Sequence, residues 1–235
     1  MMRITELLKQ ESIGLNVSVS TKDEAIDKLV DLMAAGGRLK DKAGYKEGIL
    51  AREALGSTGI GGGIVVDGKI LTGAHGAGGE ISHMPMQKDE TEVCGCGKRG
   101  CAEQYGSANG ILRLARRRME RSNLPSPLRG MEPLTCKDIF DLSAQGDPLA
   151  REIQEEYFDF LGQFLADVCC VIDPEAVLLG GGVSKAGQPL LDGVRKYFLS
   201  YMFHTGQDIF FALAKLGNDA GIYGSFKLAL DAFGR

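Results

Sequence analysis

The sequence predicts an α/β fold, and three observations carry that prediction. Apolar residues recur at helical spacing over long segments, as in Ile153, Tyr157, Leu161, Phe164, Leu165, Val168 and Ile172. Short aliphatic runs of strand length, Ile64-Val65-Val66 and Ala176-Val177-Leu178-Leu179, stand between the helical segments. Glycines, 33 in 235 residues, gather at 56–63, 73–79, 95–100 and 180–182, and two of these groups abut a strand. That clustering marks turns and ligand sites made by backbone rather than one flexible linker.

Length and composition set the bounds. A chain of 235 residues with 44% hydrophobic and 25% charged residues can bury the core of one or two globular domains. The net charge of −4 gives a nucleic-acid partner no global electrostatic support. The opening residues are amphipathic and charged, and no apolar run nears the roughly 18 residues that span a bilayer. A cytoplasmic chain without membrane attachment is the expectation. In that compartment six cysteines point to metal or core rather than to disulfides.

Residues 1–56 read as a small α-rich piece, and residues 57–235 as a second. Ile13, Leu15 and Val17 alternate as a short strand would. Ser20-Thr21 before Glu24 is a capping box. Ile26, Leu29, Val30 and Met33 then share a helical face, and Gly36-Gly37 stop the helix. A second helix runs from Asp41 to Gly56 with Tyr45, Ile49 and Leu50 inward. Residues 63–71 read as a hairpin turning at Asp67-Gly68. Asn109–Arg121 is helical, and its arginines, Arg113, Arg116, Arg117, Arg118 and Arg121, read as a solvated face. After the Ser122–Pro127 connection, Asp147–Ile172 is a long amphipathic helix ended by Asp173-Pro174, with Cys169 and Cys170 in the core. Cys136 is expected to be buried. Strands at 176–179 and 209–214 and a helix over 220–233, capped near Asn218-Asp219, complete the chain.

The most specific local signal is "CGCGKRGC", Cys94 to Cys101. Cys-x-Cys-x4-Cys with intervening glycines lets the backbone fold three thiolates onto one point, and His83 is a suitable fourth ligand. His83, Cys94, Cys96 and Cys101 therefore read as a structural zinc site, because four protein ligands leave no open position. Three uncoordinated thiols on a loop is the plainer reading, and Glu92 is an alternative oxygen ligand.

Two glycine loops read as phosphate sites. Ser57-Thr58-Gly59-Ile60-Gly61-Gly62-Gly63 can bring amides and a hydroxyl against phosphate oxygens, although a turn needing positive φ explains it equally well. Gly180-Gly181-Gly182 follows a strand directly, where nucleotides bind in α/β sheets.

From Thr58 onward the chain closely resembles the ROK family of sugar kinases and sugar-responsive repressors, its bacterial glucokinases in particular. The matching stretches are "TGIGGGIVVDGKI" (58–70), "GAHGAGGEISHM" (73–84), "CGCGKRGCAEQY" (94–105), "AVLLGGGVS" (176–184) and "LGNDAGIYGS" (216–225). The resemblance implies the C-terminal lobe of an actin/hexokinase-like, RNase H-like fold. It implies that Thr58, Gly59, Gly61 and Gly62, with Gly180, Gly181 and Gly182, contact Mg-ATP. It implies that Glu80, His83 and Glu103 hold a hexose, glucose first, with Ser82 standing where the family has glycine. A homodimer is open. Two family elements have no counterpart in these 235 residues: the Asp-x-Gly-Gly-Thr loop, and an Asn-Asp pair upstream of the glycine loop whose aspartate takes the proton from the sugar hydroxyl.

Residues 1–61 resemble a different family, the N-terminal half of the fructose/mannitol-type IIA domain of the bacterial phosphotransferase system. The match runs through "MRITELLKQESIGLNVSVSTKDEAIDKLVDLM" and "ILAREALGSTGIG". The phosphoryl-carrying histidine of that family aligns with Asp67-Gly68, so a phosphocarrier role is not expected. "STGIG" belongs to both resemblances, and the chain passes from one to the other there. The expected function is a ROK-type hexose kinase that is inactive alone for want of the catalytic aspartate. The alternative is a zinc-stabilised sugar-binding or regulatory module without catalysis. Apolar surface is expected to be exposed on both pieces.

Overall fold

The computed structural model describes residues 20–37, 39–54, 59–216 and 224. The chain divides into two units, residues 1–57 with 219–235, and residues 58–218. The strand expected at 13–17, the helix expected at 220–233 with its Asn218-Asp219 cap, and the side chain of Leu50 lie outside the described residues.

In the first unit, Thr21 caps α1 (Lys22–Ala35). Its hydroxyl accepts the Glu24 amide at 3.2 Å, and the Glu24 carboxylate accepts the Ser20 amide at 2.7 Å. The Glu24 amide, one of the donors that a helix start leaves without partners, is thus satisfied locally, and the Glu24 carboxylate ties down the residue before the cap. Gly36 ends the helix, its amide donating to the Leu32 carbonyl at 3.1 Å and the Gly37 amide to the Ala34 carbonyl at 2.9 Å. α2 (Lys42–Ala54) follows, with the Asp41 carboxylate accepting the Gly44 amide at 3.0 Å. Ile26 and Val30 of α1 are buried, but Leu29 is 60% exposed and Tyr45 of α2 is also exposed, contrary to the reading of both as inward. Helical spacing places a residue on a face without telling how wide a neighbour covers it. The Tyr45 hydroxyl instead contacts the Met33 sulfur at 3.4 Å.

The second unit begins with an antiparallel hairpin, β1 (Val65–Val66) and β2 (Lys69–Ile70), as the Asp-Gly pair predicts. Asp67 and Gly68 both take positive φ, 52° and 72°, the turn that matches strand twist. The hairpin side chains are exposed. Then come α3 (Glu103–Gly106), α4 (Ala108–Arg121), α5 (Cys136–Gln145), α6 (Pro148–Ile172), β3 (Ala176–Leu179), α7 (Gln188–Tyr201) and β4 (Phe210–Leu213). β3 and β4 pair in parallel, Ala176 opposite Phe210 through Leu179 opposite Leu213, with α7 in the crossover between them.

α6 is the core helix. Asp147 caps it by accepting the Ala150 amide at 2.7 Å, Pro148 occupies its first position, and Asp173 in the left-handed region closes it. Its buried residues, from Leu149 to Cys169, face several directions because α3, α4, α5 and α7 all pack against it. Cys169 is buried as expected, whereas Cys170 is exposed, one residue round the helix. Cys136 is only half-buried, and its thiol donates to the Ala108 carbonyl at 3.2 Å. Tyr157, buried among aromatic side chains, donates its hydroxyl to the Gly106 carbonyl at 3.0 Å. α5 has a full capping box, Thr135 with Asp138, and ends at Gly146 with φ 96°. β3 and β4 leave Leu178 and Phe210 exposed on the sheet face away from Val177 and Phe211.

α6 and α7 approach closely at Gly162. A Cβ there would lie 2.6 Å from the Phe198 amide nitrogen and 2.6 Å from the Tyr197 Cβ. Backbone cannot give way as a flexible side chain can. Gly162→Ala is therefore expected to destabilise the second unit by about 1–3 kcal/mol, read as a lower urea midpoint at unchanged slope.

Candidate functional site

The segment from Gly79 to Glu103 carries the cluster, and it has little regular structure to hold it. Ile81–His83 forms one 3₁₀ turn. Residues 84–102 then fold back on themselves through the isolated bridges Pro85–Cys101 and Val93–Arg99. The Ala102 amide bonds the Met84 carbonyl at 2.9 Å and the Met86 amide bonds the Gly100 carbonyl at 2.7 Å. Gly100 is required at that crossing. Its φ is 72°, and a Cβ would fall 1.8 Å from the Gln87 carbonyl oxygen. The Cys94–Lys98 turn, closed by the Cys94 amide on the Lys98 carbonyl at 2.7 Å, brings Cys94 and Cys96 round to face Cys101.

The result is that one ligand atom from each of His83, Cys94, Cys96 and Cys101 lies within 4.8 Å of the other three. The Cys96 and Cys101 sulfurs are 3.6 Å apart, and Cys94 Sγ is 3.8 Å from His83 Nδ1. A tetrahedral zinc with sulfur bonds of about 2.3 Å sets its ligands about 3.8 Å apart, so the donor set and its spacing both fit that metal. Nδ1 faces the thiols, and Nε2 lies on the side of the Glu80 carboxylate, 4.0 Å from it. Burial pushes the Cys94 thiol up to about 12 and raises Cys101 as well, while the Lys98 amide draws Cys96 down. Glu92 takes no part in the cluster. Its carboxylate is bonded to Arg113 and Arg117, which removes it as an oxygen ligand.

Glu103 joins the cluster to the first glycine loop. Its Oε2 accepts from the Cys94 thiol at 3.1 Å and lies 3.9 Å from His83 Nδ1. Its Oε1 lies 2.6 Å from where a Cβ on Gly59 would be, so the carboxylate rests on the loop backbone. Glu80 is 66% exposed beside them, and Ser82 is buried. Glu80, His83, Glu103 and Gly59 are thus brought together around the cysteines. Gly61 and Gly62 extend the same loop. Gly180, Gly181 and Gly182 are exposed at the end of β3, and no described hydrogen bond joins them to the first loop. Thr58 lies outside the described residues.

The arginines of α4 are not the solvated face that their spacing suggests. Arg116 and Arg121 are exposed, but Arg118 pairs with Glu156 at 2.9 Å, and Arg113 and Arg117 both bond Glu90 and Glu92. The Glu90 side chain is 0% exposed. It accepts from Arg117 at 2.8 and 3.1 Å, from the Glu92 amide at 2.9 Å, and from Arg113 and the Tyr105 hydroxyl. Burial by itself would raise the Glu90 carboxyl, but the bonds from Arg117, Tyr105 and Arg113 outweigh it and hold the group well below the usual carboxylate range. Nothing in the local sequence announces Glu90. The one signal is two acids, two residues apart, facing arginines at i and i+4 of a helix.

The ROK family model matches residues 50–232. The chain belongs to the ROK family. The model of the phosphoenolpyruvate-dependent sugar phosphotransferase system, EIIA 2, matches residues 6–66, so the two matches share residues 50–66. The glucokinase of Halalkalibacterium halodurans is 38% identical over 171 residues, which are 71% of this chain and 52% of that protein. The crystal structure of a ROK family glucokinase from Streptomyces griseus, in complex with glucose and AMPPNP, superposes with a TM-score of 0.66 at 33% identity, covering 73% of this chain and 57% of that one. A ROK family transcriptional regulator, a homologue of the E. coli MLC protein, superposes with a TM-score of 0.58 at 30% identity, over 66% of this chain and 39% of that one. The chain spans about half the length of the curated relatives it matches. Its ROK part has the actin/hexokinase-like fold of those sugar kinases, in part of its extent. Among the described residues no helix is long and apolar enough to cross a membrane.

The Glu90 network makes stability depend on pH. A carboxylate held below its ordinary value stabilises the folded chain above about pH 4.3, and that contribution is lost as the pH falls toward the folded value. Glu90→Gln removes the part of the pH dependence that Glu90 contributes. The gap in unfolding free energy between the parent chain and the variant is expected to be constant from pH 7 to 5. Below about pH 4.3 it should narrow by about 1.4 kcal/mol for each pH unit, measured by urea unfolding. A gap that stays constant down to pH 3 contradicts the assignment.

Proposed function

We propose that this chain is a ROK-type, glucokinase-like sugar-handling protein in which a closed zinc site shapes the hexose pocket. His83, Cys94, Cys96 and Cys101 would hold the metal, which supplies structural cross-linking and leaves no coordination position for substrate. Glu80, His83 and Glu103 hold the sugar hydroxyls, with glucose the preferred hexose. Thr58, Gly59, Gly61 and Gly62, with Gly180, Gly181 and Gly182, hold Mg-ATP. The observation that carries this reading is the position of Glu103, whose carboxylate lies 3.1 Å from the Cys94 sulfur, near His83 and close against the Gly59 backbone. One carboxylate thus links the metal cluster, the sugar residues and the phosphate loop. The division at residue 57, a cytoplasmic setting and a second copy as partner go with the same proposal.

Transfer of a phosphoryl group to a sugar hydroxyl needs the attacking oxygen positioned, its proton removed and the phosphate charge neutralised. The chain's own residues answer the first need through Glu80 and Glu103. The proton acceptor of the family, the aspartate of an Asn-Asp pair upstream of the glycine loop, has no counterpart in these 235 residues, whose one Asn-Asp pair is Asn218-Asp219. Losing a general base costs about 10²–10⁴ in rate. Losing the Asp-x-Gly-Gly-Thr phosphate loop in addition removes charge neutralisation. These 235 residues by themselves are therefore proposed to bind hexose without turning it over. That absence, with the likeness to a ROK transcriptional regulator, also favours the second reading, a sugar-binding or regulatory module.

The deciding experiment measures ADP release by the purified zinc-loaded chain with millimolar glucose and Mg-ATP, beside glucose binding by calorimetry. Binding with no glucose-dependent ADP is the expected result. Turnover would show that another carboxylate serves as base. Absence of both binding and turnover in a folded, zinc-loaded sample would contradict the sugar assignment.

A further inference from the structure

We propose that Glu90 is a positioning residue for the metal cluster, setting the place of Cys94 from outside the ligand set before any metal arrives. The inference rests on the metal reading above and extends it to residues that reading does not use.

Cys94 follows a ten-residue segment from His83 that forms neither helix nor strand beyond the two isolated bridges. Such a segment has many conformations, and a metal that had to select one of them would lose affinity to ordering. The structure supplies an anchor four residues before Cys94. The Glu90 carboxylate, fully buried, receives two guanidinium groups of α4, the Tyr105 hydroxyl of α3 and the Glu92 amide. Glu92 repeats the attachment from the surface, bonding Arg113 at 2.8 Å and Arg117 at 2.8 Å. The other ligand strand is tied to the same place. Gln104 donates to the Glu92 carbonyl at 3.1 Å and accepts the Cys101 amide at 3.2 Å, and Arg113 donates to the Gln104 carbonyl at 3.1 Å. One polar network therefore fixes the backbone before Cys94 and the backbone at Cys101 relative to each other. It touches none of the four ligand atoms.

The arrangement has a cost that a merely decorative ion pair would not carry. A carboxylate with no exposure is tolerated only when its lone pairs are filled, and removing one partner of such a pair is strongly unfavourable. Tyr105 is itself held from the far side, stacked on Phe160 of α6 at 4.8 Å between ring centroids, with Arg113 5.0 Å above its ring. The anchor is thus rigid on both faces, as a support for a metal site has to be.

The test uses the whole chain and three variants, Glu90→Gln, Glu92→Gln and, as a control, Glu155→Gln. Glu155 is an exposed carboxylate bonded to Lys196 and Tyr197, apart from the network. Zinc affinity is measured by competition with a chromophoric chelator, and the cobalt-substituted forms are compared by their visible spectra. Folding of each variant is checked by circular dichroism. Glu90→Gln is expected to weaken zinc binding by about 10–100-fold and to alter the tetrahedral cobalt–thiolate bands, with Glu155→Gln unchanged. Glu92→Gln, whose side chain is 56% exposed and so leaves no buried charge unpaired when neutralised, is expected to fold and to weaken binding in the same direction. It carries the test should Glu90→Gln fail to fold. Folded variants with the parent's zinc affinity and cobalt spectrum would overturn the proposal while leaving the metal reading standing. A parent chain that takes up no zinc would overturn both.

Discussion

Everything that holds the cysteine–histidine cluster leans on α6. Tyr157 of that helix bonds the Gly106 carbonyl and so fixes the end of α3. Phe160, one turn further, stacks on Tyr105 of α3. Tyr105 in turn reaches Glu90, and α3 begins with Glu103, the carboxylate between the thiols and the glycine loop. A 25-residue helix with buried residues on several sides is the longest element described in this unit. The irregular segment that bears the ligands borrows its rigidity through two aromatic contacts and one buried carboxylate. The chemistry sits on a loop, but the loop is positioned from a core helix.

That dependence explains which features were legible in the sequence. α6 declares itself by its apolar spacing, its Asp147-Pro148 start and its Asp173-Pro174 end, and the hairpin by its Asp-Gly turn. The cluster is legible because three of its ligands lie within eight residues, with glycines where the backbone must reverse. The Glu90 network is not, because it joins residues 15 to 27 positions apart and consists of side chains that elsewhere face water. The arginines of α4 look like a surface stripe until the acids opposite them are known. Leu29 and Tyr45 show the converse: a face can be inferred from spacing, but not its cover. α5 and α7 are passed over in the sequence reading, although each carries a signal, the Thr135–Asp138 capping box and the Leu190, Leu191, Val194, Phe198 series after Gly187.

Two unlike family matches also meet at a shared short sequence. The ROK match and the phosphotransferase-type match overlap over residues 50–66, and the glycine loop lies inside the overlap. Ser-Thr-Gly-Ile-Gly belongs to both matches. On the ROK side of that boundary, the Glu103 carboxylate lies close enough to Gly59 that a Cβ there would fall 2.6 Å from its Oε1, so the loop and the cysteine cluster share one neighbour.

The account turns on the claim that His83 and three cysteines make a closed metal site, and zinc K-edge X-ray absorption on the purified chain tests that claim most directly. It predicts one zinc per chain, with three sulfur neighbours near about 2.3 Å, one nitrogen near about 2.1 Å and no water in the first shell. A shell with an oxygen in place of a sulfur, or an open fourth position, would contradict it.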